Sequence, residues 1–143
     1  ISPNKIKSSR KEVLFMRLNP DCIRDILLYV EENTGYMSYI PVPRNVHNFD
    51  IVLQNNYEPD EILYHIDLCE EYGYIHTDSG TIANFYIKRL SVLGHEFLEN
   101  IRQENNWNQT KSLAKQAGSI SLNVISNIAS NVISGVVAKH FGL

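Results

Sequence analysis

The segment NYEPDEILYHIDLCEEYGYIHTDSGTIANFYIKRLSVLGHEFLENIR, residues 56–102, decides the fold. Its first part predicts a helix from Asp60 to Tyr72, because apolar residues recur there at helical spacing. Gly73 is expected to end this helix by adopting the left-handed backbone conformation. The buried stripe of this helix is expected to comprise Ile62, Ile66 and Cys69, with Leu63 and Leu68 at its edge.

The residues after Gly73 predict a β-hairpin and a further helix. Segments 74–77 and 85–90 have strand composition, and residues 78–80 between them are turn formers. Ser91 is expected to cap the next helix. The apolar face of that helix is expected to include Leu93, Gly94, Phe97, Leu98 and Ile101, with the glycine allowing close backbone packing. A helix that leads into a hairpin is typical of the wing half of a winged-helix domain. The chain is therefore predicted to be α+β, with a winged-helix-like domain and a C-terminal amphipathic helical tail.

A separate helix is predicted upstream. Asn19 can cap it, Pro20 is preset for the first turn, and Asp21 complements the helix dipole. Apolar residues then recur at helical spacing as far as the stop signal at residues 33–35.

The interval 36–56 lacks this periodicity. Pro41 and Pro43 hold an extended path, and Phe49 to Leu53 predicts a short strand. A complete helix-turn-helix would place its first helix in this interval, and no helical pattern occurs there.

Length and charge suggest three parts. A chain of 143 residues accommodates one domain with appendages. Residues 16–104 form the predicted domain and carry six Lys/Arg against fifteen Asp/Glu, so the domain is strongly acidic. Residues 1–15 form a basic leader, and residues 105–143 form a basic helical tail. The leader has two interpretations: a native basic arm, or an upstream extension of a domain that starts at Met16.

The tail contains 23 successive residues without a charge, from Gln116 to Ala138. Its Ser and Asn residues fall on one side of a helix and its aliphatic residues on the other. The polar residues disfavour a membrane span, and the lack of Lys and Arg on the polar side disfavours a membrane-surface helix. Burial against the domain or a second copy is expected instead. The residues predicted to oligomerise are Leu122, Ile125, Ala129, Val132 and Val136.

The helix before the hairpin presents a candidate partner-binding face. Asp60, Tyr64, Asp67 and Glu71 fall on its exposed stripe, and the helix has no Lys or Arg. An aromatic anchor among carboxylates suits a protein partner with a basic surface. The alternative interpretation is a solvated helix face with an incidental tyrosine.

DNA binding is the alternative that a winged-helix fold suggests. The residues available for it are Lys88, Arg89, Lys111 and Lys115. The presumed recognition helix, however, offers five carboxylates and no cation, whereas phosphate contacts by Lys and Arg supply most of the affinity for a duplex. Charge therefore disfavours duplex binding.

No catalytic or metal-binding constellation is evident. His65, at the border of the buried stripe, and His95, beside Gly94, are expected to be structural, because no nucleophile is assigned near them. The five histidines lack paired metal-ligand spacing, and Cys22 and Cys69 fit a reduced compartment. The chain is expected to be non-enzymatic and cytoplasmic, with no metal and no cofactor.

Three segments together resemble a known family. They are NPDCIRDILLYVEEN (19–33), YEPDEILYHIDLCEEYGYI (57–75) and RLSVLGHEFLENIRQENNWNQTK (89–111). They are similar to small proteins of phages and prophages of Gram-positive bacteria, classed as a domain of unknown function with a predicted winged-helix fold. Two positions depart from the family pattern: Ser91 stands where Thr is usual, and Leu93 where Glu is frequent.

These observations favour a phage- or prophage-encoded interaction module that regulates or inhibits a protein partner through its acidic helix face. The alternative is a winged-helix transcriptional regulator that binds DNA. A third possibility is a membrane-active, toxin-like protein that acts through residues 119–139.

Overall fold

The computed structural model describes residues 16–45, 53 and 56–143. The chain is α+β, with five helices and a three-stranded antiparallel sheet among these residues. The elements in chain order are α1 (Pro20–Asn33), β1 (Ile40–Pro43), α2 (Pro59–Glu71), β2 (Ile75–Asp78), β3 (Asn84–Leu90), α3 (Val92–Ile101), α4 (Glu104–Ala117) and α5 (Leu122–Phe141).

Helix α1 begins as predicted. The Asn19 side-chain oxygen accepts hydrogen bonds from the backbone N–H groups of Asp21 and Cys22, which satisfies two of the donors left free at a helix start. The buried face of α1 packs against α2, α3 and the sheet. Its residues are Cys22, Ile23, Ile26, Leu27 and Val30.

The sheet has the strand order β1-β3-β2, so the first strand pairs with the last. Strand β1 occupies part of the path predicted only as extended, and Ile40 pairs with Ile87 of β3. Pro41 and Pro43 lack N–H groups, and prolines on an edge strand hinder the addition of a further strand. The strand predicted over residues 49–53 lies outside the described residues, except for Leu53.

The junction between α2 and α3 follows the sequence prediction closely. Gly73 ends α2 with a φ of 81°. The Ser91 hydroxyl caps α3 by accepting a hydrogen bond from Gly94 N, and it donates to the Gly73 carbonyl. A Cβ at Gly94 would lie 2.0 Å from the Tyr74 carbonyl oxygen, so α3 approaches the backbone before β2 too closely for any side chain at this position.

One residue of α3 was assigned wrongly. Leu93 is exposed, whereas Phe97, Leu98 and Ile101 are buried as predicted. Leu93 lies in the first turn of the helix, one residue before the buried Gly94, and its side chain points away from the core.

The helical tail packs onto the rest of the chain. Trp107 and Ala114 of α4 and Leu122, Ile125 and Ala129 of α5 belong to the same buried cluster as the cores of α1, α2 and the sheet. Gly118 separates the two helices with a φ of 79°. Within the described part of the chain, no helix has both the length and the hydropathy needed to cross a membrane.

Candidate partner-binding groove

A groove lies between α2 and the sheet, and its cavity volume is about 580 Å³. Its lining combines apolar side chains, one cation and two carboxylates. The lining residues are Met16, Pro43, Arg44, Asp60, Leu63, Tyr64, Asp67 and Phe85. Three of the four residues predicted to bind a partner therefore meet in one groove, and Glu71 lies outside it.

Helix geometry brings these residues together. Pro59 is the first residue of α2, and Asp60, Tyr64 and Asp67 follow at spacings of four and three, which place side chains on one helix face. Leu63, at the edge of the buried stripe, forms part of the apolar lining with Phe85 from β3.

The Tyr64 ring packs against a buried histidine, His65. The Tyr64 and His65 rings meet edge to face, with 5.5 Å between their centroids. His65 is fully buried and accepts a hydrogen bond at Nε2 from the Asn19 backbone N–H over 2.8 Å. Its Nδ1 lies 2.8 Å from the Glu61 carbonyl oxygen, so this nitrogen carries the proton. The prediction that His65 is structural is confirmed.

The two carboxylates of the groove are not engaged by a neighbouring cation in the described part of the chain. Neither Asp60 nor Asp67 forms an ion pair with any residue that the structure describes. Arg44, the cation in the lining, donates from Nε to the Thr81 carbonyl over 3.0 Å, and a second nitrogen donates to the Ser79 carbonyl. It also lies 5.7 Å from the centre of the Phe85 ring. Arg44 is thus tied to the hairpin turn, and the groove remains acidic along α2.

The four residues predicted for nucleic-acid binding do not form one site. Lys88 and Arg89 line a pocket with His95, and Lys88 Nζ lies 5.8 Å from the centre of the Tyr39 ring. Lys111 is instead paired with Asp21 over 2.8 Å and lies over the Trp107 ring. Lys115, on α4, does not line the pocket that Lys88 and Arg89 share.

His95 differs from the structural histidine that the sequence suggested. It is exposed on α3 and lines the pocket that contains Lys88 and Arg89. Gly94, the residue before it, packs against the Tyr74 backbone, whereas the His95 side chain points away from the core.

The residues predicted to oligomerise are mostly buried inside the chain. Leu122, Ile125, Ala129 and Val132 are buried, and helix α5 packs on α3 and α4. These four residues therefore form a contact within the chain, in place of the interface between copies that the sequence predicted. Val136 remains 47% exposed and lines a groove of about 710 Å³ between α4 and α5 with Leu113 and Gly135.

Neither cysteine is placed to act as a nucleophile. Burial raises the pKa of the Cys22 thiol to about 12 and also raises the pKa of Cys69. A reactive cysteine needs the thiolate, and burial disfavours that form. Within the described ranges, no three His, Cys, Asp or Glu side chains are grouped as a metal site requires.

Sequence reasoning missed half of the groove. Met16, Pro43, Arg44 and Phe85 come from outside α2, and no local pattern connects them with it. The two-residue period of a strand was the available signal, because it puts Phe85 on the same side of β3 as the buried Ile87.

Comparisons with known proteins place the chain in a family. An uncharacterized protein of Haemophilus influenzae is 28% identical to it over 127 residues, which cover 86% of this chain and all of that protein. No solved structure matches the chain. The sequence profile of the hypothetical proteins named DUF2513 matches residues 17–121. Because this match covers most of the sequence, the protein belongs to the DUF2513 family.

Proposed function

We propose that this protein is a non-enzymatic interaction module, encoded by a phage or prophage, that regulates or inhibits a protein partner with a basic surface. The partner binds in the groove beside α2. The observation that carries this proposal is the meeting of Asp60, Tyr64 and Asp67 with apolar side chains in one open groove.

The groove has the composition of a protein-binding site. Tyr64 is 42% exposed and can contribute both ring contact and a hydroxyl to a partner. Leu63 and Phe85 offer an apolar surface for a side chain of the partner, and aromatic anchors of this kind carry much of the energy of protein interfaces. Asp60 and Asp67 would attract Lys or Arg and fix the orientation of the partner.

A winged-helix fold is part of the proposal. Its support is the order helix, strand, helix and hairpin, together with the pairing of β1 with β3 at the centre of the sheet. The interval where a helix-turn-helix would place its first helix, residues 36–56, contains β1, and its residues 46–52 and 54–55 lie outside the described residues.

The second candidate function is a winged-helix regulator that binds duplex DNA. It is favoured by the proximity of Lys88 and Arg89 at the end of the hairpin. Against it stands α2, whose five carboxylates would face phosphates if this helix entered a major groove.

We also propose that the chain self-associates through the exposed part of α5. Val136, Val137 and Phe141 are all exposed near the end of this helix. The groove that Val136 lines is mainly apolar, with Lys139 as the one charged residue in its lining.

A capture experiment tests the groove. Partner proteins are purified on the wild-type chain, on Tyr64→Ala and on the double variant Asp60→Lys and Asp67→Lys. Truncation of an aromatic hot spot typically costs about 2 kcal/mol or more, so Tyr64→Ala should weaken partner binding about 30-fold. The charge reversal should abolish binding.

The control is the double variant Glu32→Lys and Glu96→Lys, which makes the same charge change at exposed positions of α1 and α3. It should keep the partner. Retention by all variants, or equal loss from both double variants, would refute a specific site in the groove. A salt titration with mixed-sequence duplex DNA separates the second candidate, which requires a steep loss of affinity with rising salt.

A further inference from the structure

The outer face of the sheet carries aromatic and basic side chains that the groove does not use. Along β3, Ile87 is buried beneath the helices, so its neighbour Tyr86 points to the opposite face. The pairing of β2 with β3 shifts register between His76 and Thr77, which breaks the alternation after Ile87, and Lys88 and Arg89 line the same pocket. Tyr39, which precedes β1, is 41% exposed, and Lys88 Nζ lies 5.8 Å from its ring centre.

Two adjoining pockets lie along this face. The first, of about 560 Å³, is lined by Tyr36, Met37, Tyr39, Lys88, Arg89 and His95 together with residues of the end of α1. The second, of about 390 Å³, shares Met37 and Tyr39 with the first and adds Tyr86. Three tyrosines therefore line the two pockets: Tyr36 and Tyr39 are exposed, and Tyr86 is half-buried.

The outermost aromatic residue is held by a closed turn. Tyr36 is 95% exposed and Met37 is 85% exposed, between Gly35 and Ser38. Gly35 N donates to Ser38 O over 3.0 Å, and Ser38 N donates to Gly35 O over 3.3 Å. The Thr34 hydroxyl donates to the Val30 carbonyl and secures the turn to α1. These contacts hold the backbone of the turn, while the Tyr36 and Met37 side chains remain exposed to water.

The two cations of this face, Lys88 and Arg89, outnumber Asp78, its one carboxylate without an ion pair among the described residues. Glu31, a carboxylate in the first pocket, accepts hydrogen bonds from two nitrogens of Arg102 at 2.8 and 2.6 Å, and these bonds lower its pKa. Asp78, in the second pocket, accepts from Gly80 N within the hairpin turn. Lys88 and Arg89 form no ion pair with any described residue. One N–H of the Arg89 guanidinium donates a hydrogen bond to the Leu90 carbonyl.

From this geometry we infer that the outer face of the sheet, from Tyr36 to Tyr86, binds single-stranded nucleic acid. Exposed aromatic rings stack with bases of any sequence, and adjacent cations contact the backbone phosphates. Lys88 and Arg89 lie beside the tyrosines, so one strand can place its bases on the rings and its phosphates on the cations. A duplex hides its base faces and would use only the cations.

This site is independent of the proposed partner-binding groove. Phe85 of the groove and Tyr86 of the outer face are neighbours on β3 and point to opposite sides of the sheet. The acidic α2 lies on the groove side, and its charge would repel a strand there. Failure of either proposal therefore leaves the other standing.

The experiment measures binding of the full chain to fluorescent single-stranded DNA and RNA of mixed sequence by anisotropy at low salt. A strand of the same length with abasic sites keeps the phosphates and removes the bases. A duplex is the third ligand. We expect the single strands to bind more tightly than the abasic strand and the duplex, and the comparison of DNA with RNA identifies which strand is preferred.

Tyr39→Ala and Tyr64→Ala form a matched pair, because the two tyrosines are 41% and 42% exposed on opposite sides of the sheet. Loss of one stacked base corresponds to about a 5- to 150-fold loss of affinity, expected for Tyr39→Ala alone. Tyr36→Ala, which removes no packing, should act in the same direction. Lys88→Gln should lower the salt dependence of binding, with a change in slope of about 0.7.

Equal affinities for the intact and abasic strands would overturn the inference, since they would show attraction to charge alone. Equal effects of Tyr39→Ala and Tyr64→Ala would overturn it as well. Absence of single-strand binding at low salt would also overturn the inference. Capture of a protein through Tyr36 and Tyr39, in place of nucleic acid, would assign this face to a different partner.

Discussion

The Trp107 indole N–H donates a hydrogen bond to the Asp21 carboxylate over 2.8 Å, and this bond joins α4 to the first turn of α1. Lys111 donates to the same oxygen, also over 2.8 Å, while its Nζ lies 5.4 Å from the centre of the Trp107 ring. One carboxylate thus holds two residues of the tail and also complements the dipole of α1. The tail is attached by polar contacts as well as by apolar burial.

Replacement of Asp21 by Asn should therefore destabilise the protein. Charge-assisted hydrogen bonds are stronger than neutral ones, but this carboxylate is half exposed, so we expect a loss of about 1 kcal/mol in the free energy of unfolding at neutral pH. Glu32→Gln, an exposed change on the same helix, is the control and should leave stability unchanged. Chemical denaturation measures both.

The effect of Asp21 should depend on pH. Burial alone would raise the pKa of Asp21, but hydrogen bonds from Lys111 and Trp107 outweigh it and lower the pKa below 3.8. A carboxyl group with a depressed folded-state pKa stabilises the protein above its unfolded pKa, and this contribution is lost as pH falls through the folded value. The stability difference between wild type and Asp21→Asn should shrink below pH 3.8. A difference that grows on acidification would contradict this account.

Two glycines inside helices should respond to alanine with opposite signs. At Gly94 the new Cβ would meet the Tyr74 carbonyl oxygen at 2.0 Å, so the backbone must move, at a cost of about 3 kcal/mol. At Gly135 nothing lies within 4 Å of the added carbon, and alanine should stabilise α5 by about 0.5 to 1 kcal/mol. Melting temperatures of the two variants test this. A neutral Gly94→Ala would show that α3 and the Tyr74 backbone are not in close contact.

The two histidines of the central segment should behave differently when replaced by leucine. His65→Leu leaves the Asn19 backbone N–H without its partner inside the protein, so we expect a loss of about 2 kcal/mol. His95→Leu changes an exposed position and should alter stability by less than about 0.5 kcal/mol. Denaturation midpoints provide the measurement. Similar midpoints for the two variants would mean that His65 does not support the junction between α1 and α2.

The sequence predicted the elements whose signals are local. Asn19, Gly73 and Ser91 each mark a helix end through their own side chain or backbone, and all three were recognised. Strand β1 was predicted only as extended, because Pro41 and Pro43 leave few of the signals typical of a strand, and its pairing with β3 is a contact across more than forty residues.

The groove and the tail were only partly predictable for the same reason. The acidic face of α2 follows from helical spacing, but the contributions of Met16, Arg44 and Phe85 depend on tertiary packing. The aliphatic side of α5 was recognised, yet a periodic pattern does not distinguish burial within one chain from burial between two copies. The structure buries Leu122 and Ile125 within the chain and leaves Val136 exposed.

Self-association through α5 is best tested at Val136. Removal of the whole tail would also remove Leu122 and Ile125 from the core, so loss of folding would obscure any change in mass. Val136→Glu instead places a charge in the groove between α4 and α5, where a second copy would have to bury it. Light scattering should show an oligomer for the wild type and for Ser130→Glu, an exposed change on the same helix, and a monomer for Val136→Glu. A monomeric wild type would remove this interface from the proposal.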